Sequence, residues 1–185
     1  MIAAYHLVFD TALGRCGIAW RGTRVVATSL PEGDDAQVLS ALARRAGETA
    51  AGEPPAPVAV GVAAICRLLA GAAESFEFLE LDLDGVADFD RRVYAVALAI
   101  PAGETRTYGE VARAIGEPDA ARAVGRALGA NPFPIVVPCH RVLAAGGAIG
   151  GFSAPGGIAT KRRLLAIESA HAPLPLFSAS RGGTG

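Results

Sequence analysis

Short apolar runs broken by turns fill the start of the chain, with poor alternation in the first of them, and a helical spacing follows. Residues 3–9, Arg15–Trp20 and Arg24–Ser29 read as strands. Asp10–Gly14 and Arg21-Gly22-Thr23 supply the turns of an antiparallel meander. Leu30-Pro-Glu-Gly33 breaks it. Val38, Leu39 and Leu42 then predict a helix capped by Asp34 or Asp35 and running to about Ala46. Gly47–Pro57 reads as a loop, and Val58–Ala70 as a second helix closed by Gly71. Phe76–Leu81 alternates and predicts a last strand, with a boundary at Asp82–Val86. Beyond it the spacing is helical. Phe89, Val93, Val96, Leu98 and Ile100 predict a helix over Phe89–Ala99 capped by Asp88. Thr107-Tyr-Gly-Glu110 is a capping box for a helix to Ile115, and Asp119 is placed to cap another over Ala120–Leu128. Two short helices joined by a glycine-containing turn have the layout of a helix-turn-helix, or of an ordinary helical hairpin. Ile135–Val137, bounded by Pro134 and Pro138, reads as a short buried extended segment, and Val142–Ile149 as strand, turn and strand. Ile158–Ser169 predicts an amphipathic helix, with Lys161-Arg-Arg163 as its solvated basic face. The pattern is that of an α+β protein: a small domain with an antiparallel sheet and helices over 1–86, a mainly helical, winged-helix-like domain over 87–169, and a disordered tail over 170–185.

Composition narrows the class. A chain of 185 residues with 51% hydrophobic content can bury a core. No apolar run is long enough to span a membrane, and no secretory leader pattern opens the chain. The three cysteines, Cys16, Cys66 and Cys139, lack framework spacing, which points to a reducing compartment, the cytoplasm. His6, Cys16 and Cys66 fit no compact ligand motif, so no metal is expected. The net charge of −1 says nothing for nucleic acid until the chain is divided. Residues 1–99 hold 8 basic and 13 acidic residues, whereas 100–168 hold 8 and 5. The positive excess falls on the second half, where a face that docks on phosphates would need it.

Candidate chemistry lies in the same half. Pro138-Cys139-His140-Arg141 delivers a thiol from a buried segment beside an imidazole and a guanidinium, and the thiolate is the reactive form of cysteine. Taken alone, Cys139 also fits a structural buried cysteine. Helix 120–128 is thin: Ala120, Ala121, Ala123, Gly125, Ala127 and Gly129 are small, and Arg122 and Arg126 share a face. Gly150–Gly157 is a glycine-rich loop without the lysine spacing of a phosphate cradle.

Five ordered motifs over residues 85–168 resemble those of the O6-alkylguanine-DNA alkyltransferases, the methylated-DNA–protein-cysteine methyltransferases. They are Ile100–Ala112, Ala120–Gly125, Asn131-Pro-Phe-Pro134 with Pro138-Cys-His-Arg141, Gly150-Gly-Phe-Ser153 and Leu164–Glu168. The first 85 residues match only in layout. The resemblance implies single-turnover transfer of the O6-alkyl group of a flipped-out guanine to Cys139, with double-stranded DNA as partner, no cofactor, and a monomer. It implies that Glu168 holds His140, which accepts the thiol proton through a water, and that Asn131 braces the active-site turn. Tyr108 would meet charge at guanine N3 and Ser153 would bond O6. Pro134, Val142 and Phe152 would wall the pocket. Ala121, Ala123, Gly125 and Arg126 would face the minor groove, and Arg122 would replace the flipped nucleotide. Many relatives have Tyr at the place of Phe152 and Trp at the place of Tyr94. The competing classes are a lesion binder, which lacks the cysteine, a sequence-reading regulator, which needs long polar side chains on helix 120–128, and a thiol hydrolase.

Overall fold

The protein was analysed as a computed structural model, which describes residues 3–169; the tail expected to be disordered lies outside them. The first half is built on a four-stranded sheet of order β3-β2-β1-β4. Strands β1 (Ala4–Thr11), β2 (Gly14–Arg21) and β3 (Arg24–Ser29) form the meander, with Tyr5 opposite Trp20 and Phe9 opposite Cys16. Helix α1 (Asp35–Ala46) starts at an Asp34 capping box with Gln37 and buries Val38, Leu42 and Ala46. It packs closely because β2 and β3 offer it Gly17, Ala19 and Ala27. A Cβ on Gly17 would stand 2.6 Å from Val38 Cγ1. The opposite face of β2, Cys16, Ile18 and Trp20, joins the main core. Both faces of β2 are therefore covered, which explains its nearly unbroken apolar run.

Several expected elements differ. The Gly47–Pro57 loop contains β4 (Thr49–Ala51), which pairs in parallel with β1 and makes the sheet mixed. Helix α2 (Ala56–Leu69) starts earlier than expected, with Pro55 at its N-cap. Phe76–Leu81 is not a strand. Phe76 and Leu79 are buried while Phe78 is exposed, and the Leu79 amide donates to the Phe76 carbonyl, so the spacing is that of a turn. Only Leu81 bridges to Val25.

The second half is helical. Helix α3 (Asp88–Leu98) buries Val93, Tyr94 and Ala97, and its N-cap is Ala87; Asp88 sits inside the first turn and pairs with Arg92 instead of capping. Strand β5 (Arg106–Thr107) leads into α4 (Tyr108–Ala114), whose Thr107–Glu110 capping box forms as the spacing predicts. Helix α5 (Ala121–Gly129) has Ala120, not Asp119, at its N-cap. The Tyr94 hydroxyl donates to the Ala127 carbonyl at 3.0 Å and ties α3 to α5. After a looped segment the chain makes one 3₁₀ turn at Cys139–Arg141 and enters β6 (Val142–Leu143), and the last of the described elements is α6 (Gly157–Ser169). Val142–Ile149 does not form two paired strands: β6 pairs in parallel with β5, and the Ala144 amide donates to the Ala148 carbonyl at 2.8 Å across a turn in which Gly146 and Gly147 take positive φ. The two halves share one apolar core, with Ile18 and Leu68 in the same cluster as Val93 and Val137.

Candidate active site

Cys139 is positioned from three sides. On one, Asn131 brackets the preceding loop. Its Nδ2 donates to the Val137 carbonyl, and its Oδ1 accepts from the Phe133 amide, both at 2.9 Å. Within that bracket Ile135 takes φ 76°, so the chain turns instead of running extended as its apolar run suggests. A positive φ is unusual for a β-branched residue, and the surrounding hydrogen bonds hold it there. On the second side, strand β3 reaches across. The Thr28 amide donates to the Pro132 carbonyl at 3.0 Å, and the Thr28 hydroxyl to the Pro134 carbonyl at 2.6 Å. The third tie is the β5–β6 pair, with Arg106 opposite Val142 and Thr107 opposite Leu143. It sets Tyr108, the next residue after β5, against the turn that holds the thiol.

The turn directs its side chains apart. In a 3₁₀ turn successive side chains are about 120° apart. The separation of Cys139 from His140 therefore arises from this turn, not from an extended strand. Cys139, 9% exposed, lines two cavities. One, of about 430 Å³, is lined by Tyr108, Gly125, Leu128, Gly129, Gly151, Phe152 and Ser153. The other, of about 340 Å³, runs past Asn131 and Pro134 to Thr28 and Arg44. Gly150 is required where Tyr108 lies against the glycine loop: a Cβ there would stand 2.9 Å from the ring. Ser153 lines both cavities, and its hydroxyl donates to the Gly129 carbonyl at 2.9 Å. Val142, expected as a wall, is fully buried and lines neither of the two.

His140 points inward, with no exposure. Its Nε2 lies 2.8 Å from Glu168 Oε1. Arg141 joins them: Nε donates to Oε2 at 2.9 Å, Nη2 to Oε1 at 2.8 Å, and Nη1 to the Ile100 carbonyl at 2.5 Å. The sequence suggested that Arg141 would face the thiol; it is spent on Glu168. Burial alone would raise the Glu168 carboxyl, but the hydrogen bonds from His140 and Arg141 hold it at about 2. Burial lowers His140, against the Glu168 bond that raises it, so the imidazole is neutral beside an ionised and already shared carboxylate. With Nε2–H given to Glu168, Nδ1 carries the lone pair, and this buried atom has no protein partner. Burial also raises the Cys139 thiol, while the Asn131 side chain and the Lys161 charge pull it back.

Lys161 is the largest departure from the sequence reading. Expected on a solvated basic face with Arg162 and Arg163, it is completely buried, and its Nζ donates to the Val142 carbonyl at 2.7 Å. Only Arg162 and Arg163 are exposed. A signal was present: residues 161, 164 and 168 are spaced by three and four, so Lys161 shares the buried face of Leu164 and Glu168.

Outside the thiol pocket, α5 buries Val124, Ala127 and Leu128 and exposes Arg122 and Arg126, with Ala121, Ala123 and Gly125 half-buried. Arg122, Tyr108 and Gly125 line an open cavity of about 590 Å³, so the arginine stands beside the mouth of the thiol pocket. Among the described residues no cluster of three or more His, Cys, Asp or Glu side chains is placed to hold a metal, and no helix is long and apolar enough to cross a membrane. His6 is instead 2.8 Å from Thr49 Oγ1, and all three cysteines are free.

The family model described as the DNA-binding domain of 6-O-methylguanine DNA methyltransferase matches residues 88–170. A methylated-DNA–protein-cysteine methyltransferase of Mycolicibacterium paratuberculosis is 48% identical over 124 residues, 67% of this chain and 73% of that protein. One from Mycobacterium bovis is 55% identical over 106 residues, 57% of this chain and 62% of its own length. Among solved structures, Mycobacterium tuberculosis OGT in complex with DNA superposes with a TM-score of 0.73 at 38% identity, over 91% of this chain and 95% of that one. The O6-methylguanine-DNA methyltransferase of Pyrococcus kodakaraensis gives 0.63 at 30% identity, over 89% and 98%. With the buried thiol, its histidine–glutamate pair and this extent of likeness together, the chain belongs to the methylated-DNA–protein-cysteine methyltransferase family.

Proposed function

We propose that this protein repairs DNA by direct reversal, moving the O6-alkyl group of guanine, mainly methyl, to Cys139 once per molecule. The observation that carries this reading is Cys139 on the wall of a base-sized cavity, with a neutral histidine fixed behind it by an ionised carboxylate. A base inside a duplex cannot reach that cavity, so the nucleotide is flipped out, and α5 docks in the minor groove with Arg122 filling the gap. The absence of long side chains between Arg122 and Arg126 suits a narrow groove and disfavours a sequence reader.

The thiol proton passes through a water to Nδ1 of His140, and Glu168 offsets the charge that forms there. Cys139 Sγ attacks the alkyl carbon, the S–C bond forms and the C–O6 bond breaks. The electron pair stays on the guanine, where Tyr108 meets it at N3. Ser153 bonds O6 by turning its hydroxyl away from Gly129. Asn131 keeps the turn in place. The product thioether is not reversed, so each molecule acts once, as a monomer, with no cofactor. Three free cysteines and a working thiol fit a reducing cytoplasm. The residues before 87 and those from 87 to 169 act as support and chemical domains joined at Thr28.

Two variants test this reading on a duplex carrying O6-methylguanine. Cys139→Ala should bind the lesion and leave it unrepaired. Arg122→Ala should repair slowly, most evidently where the lesion is well paired. Repair by Cys139→Ala would refute the assignment, and a wild-type rate for Arg122→Ala would remove the arginine from flipping.

A further inference from the structure

Strand β3 lies at the edge of the sheet, and its outer side does not face open solvent along its length. At Val25 it meets residues 80–82, and at Thr28 it meets the loop that leads to Cys139. Thr28 is buried, where an isosteric valine would bring no hydroxyl to satisfy. The hydroxyl it does bring donates to the Pro134 carbonyl at 2.6 Å. The next residue, Ile135, takes φ 76°. A proline followed by a residue in that region has the dihedral pattern of a type II turn, whose second central position ordinarily takes glycine. The type I alternative differs by a flip of the peptide between the two residues, and it would return isoleucine to a negative φ. The oxygen that swings away in such a flip is the Pro134 carbonyl, the atom that Thr28 holds. The Val137 amide closes the same turn on the Phe133 carbonyl at 2.8 Å, and the Cys139 amide donates to the Val137 carbonyl at 2.8 Å. Two successive hydrogen bonds thus tie the turn to the residue that carries the thiol. Pro134 itself lines a cavity together with Cys139.

We propose that Thr28 is a positioning residue for the transfer: a latch, supplied by the first half of the chain, that holds the Pro134–Ile135 peptide in its strained orientation and so fixes both the cavity wall at Pro134 and the thiol at Cys139. This deepens the alkyltransferase reading and rests on it. Asn131 grips the loop from within, at the Phe133 amide and the Val137 carbonyl, and leaves the Pro134 carbonyl to Thr28. The two grips are therefore not redundant. Without the hydroxyl a buried carbonyl loses its partner, and the strain at Ile135 favours the flip. A displacement of about 1 Å at a reacting atom is enough to slow chemistry by up to about a hundred-fold. Lesion recognition belongs to α5 and is untouched.

The test compares wild type with Thr28→Val, which keeps the shape and the backbone bond but loses the hydroxyl, and with Thr28→Ser, which keeps the hydroxyl. Hydrogen exchange of the Val137 amide is measured without DNA. Methyl transfer is then timed within the preformed complex with a duplex carrying O6-methylguanine, beside the affinity for that duplex. Thr28→Val should exchange Val137 about ten-fold faster and transfer about ten-fold more slowly, with lesion affinity within about two-fold of wild type. Thr28→Ser should match wild type in all three. Val58→Ala, a core change on α2 away from the loop, shows what lost stability alone does. Unchanged Val137 exchange in folded Thr28→Val overturns the proposal, and so does faster exchange with a wild-type transfer rate. Equal slowing by Val58→Ala or by Thr28→Ser also overturns it. Should Thr28→Val not fold, Thr28→Cys, a weaker donor, is read in its place with the same signs. No transfer by wild type, with the exchange difference intact, would refute the alkyltransferase reading and leave the latch standing.

Discussion

At the scale of single residues, the site depends on how one carboxylate is shared. Glu168 meets both Arg141 and His140, so it stays ionised without forcing the imidazole to become a cation. This has a consequence for acid stability. The Glu168 carboxyl is held at about 2 in the folded protein against an ordinary 4.5. A depressed carboxylate contributes stability above its unfolded value and loses it as pH falls through the folded one. That contribution is roughly 3 kcal/mol near neutral pH and is lost between about pH 5 and 2. His140, whose charged form is disfavoured by burial, acts in the same direction below its ordinary range. Urea unfolding of wild type should therefore show falling stability across that window. Glu168→Gln should be weaker at neutral pH and show a flatter acid limb. An equally steep limb in Glu168→Gln would mean that the carboxylate is not the group that titrates. The Cys139–His140–Glu168 set was legible in the sequence because its motifs are ordered and specific. Lys161 and Arg141 were not. Reading Lys161-Arg162-Arg163 as a charge run ignored that consecutive helical residues face different ways.

Helices and loops tell a similar story at the next scale. The capping box at Thr107 was legible because it is local, with side chain and amide three residues apart, whereas at the first helix the sequence offered only a cap at Asp34 or Asp35 and the box with Gln37 went unread. Asp88 and Asp119 have the right residue type and make no cap, since neighbouring residues take the N-cap position. The Pro134–Pro138 segment looked extended because three buried apolar residues stand in a row. The Asn131 bracket and the positive φ at Ile135 turn it, and no propensity of isoleucine announces that. In the proposed docking of α5, function opposes local stability. Glycine inside a helix costs about 1 kcal/mol relative to alanine. At Gly125 a Cβ would meet Tyr108 only at 3.8 Å, an ordinary contact. Gly125→Ala should therefore melt higher, by up to about 1 kcal/mol of added stability, and, under the proposed docking, bind duplex DNA more weakly, because the helix would be thicker on the face turned to the groove. Binding as tight as wild type, measured by fluorescence anisotropy, would show that α5 does not approach DNA along that face.

Across the whole molecule, the sheet of the first half is wired to the chemistry of the second. Thr28 at the edge of the meander holds the carbonyls of Pro132 and Pro134, and the Arg45 guanidinium of α1 donates to the Ala130 carbonyl. Together they brace the loop that leads to Cys139. The α+β class and the meander were legible from short apolar runs set off by turn residues. The β4 strand was not, because three residues of Thr-Ala-Ala carry no period of their own. Nor were the parallel β5–β6 pairing and the turn at Phe76–Leu79, which depend on contacts between distant segments.

The central claim is that Cys139 is a consumable alkyl acceptor. The direct measurement is to incubate the protein with a duplex carrying O6-methylguanine and weigh its peptides. The account predicts a gain of one methylene on the peptide containing Cys139, on no other peptide, and at most once per molecule. Lesion binding without that gain, or repeated turnover on an unmodified Cys139, would contradict it.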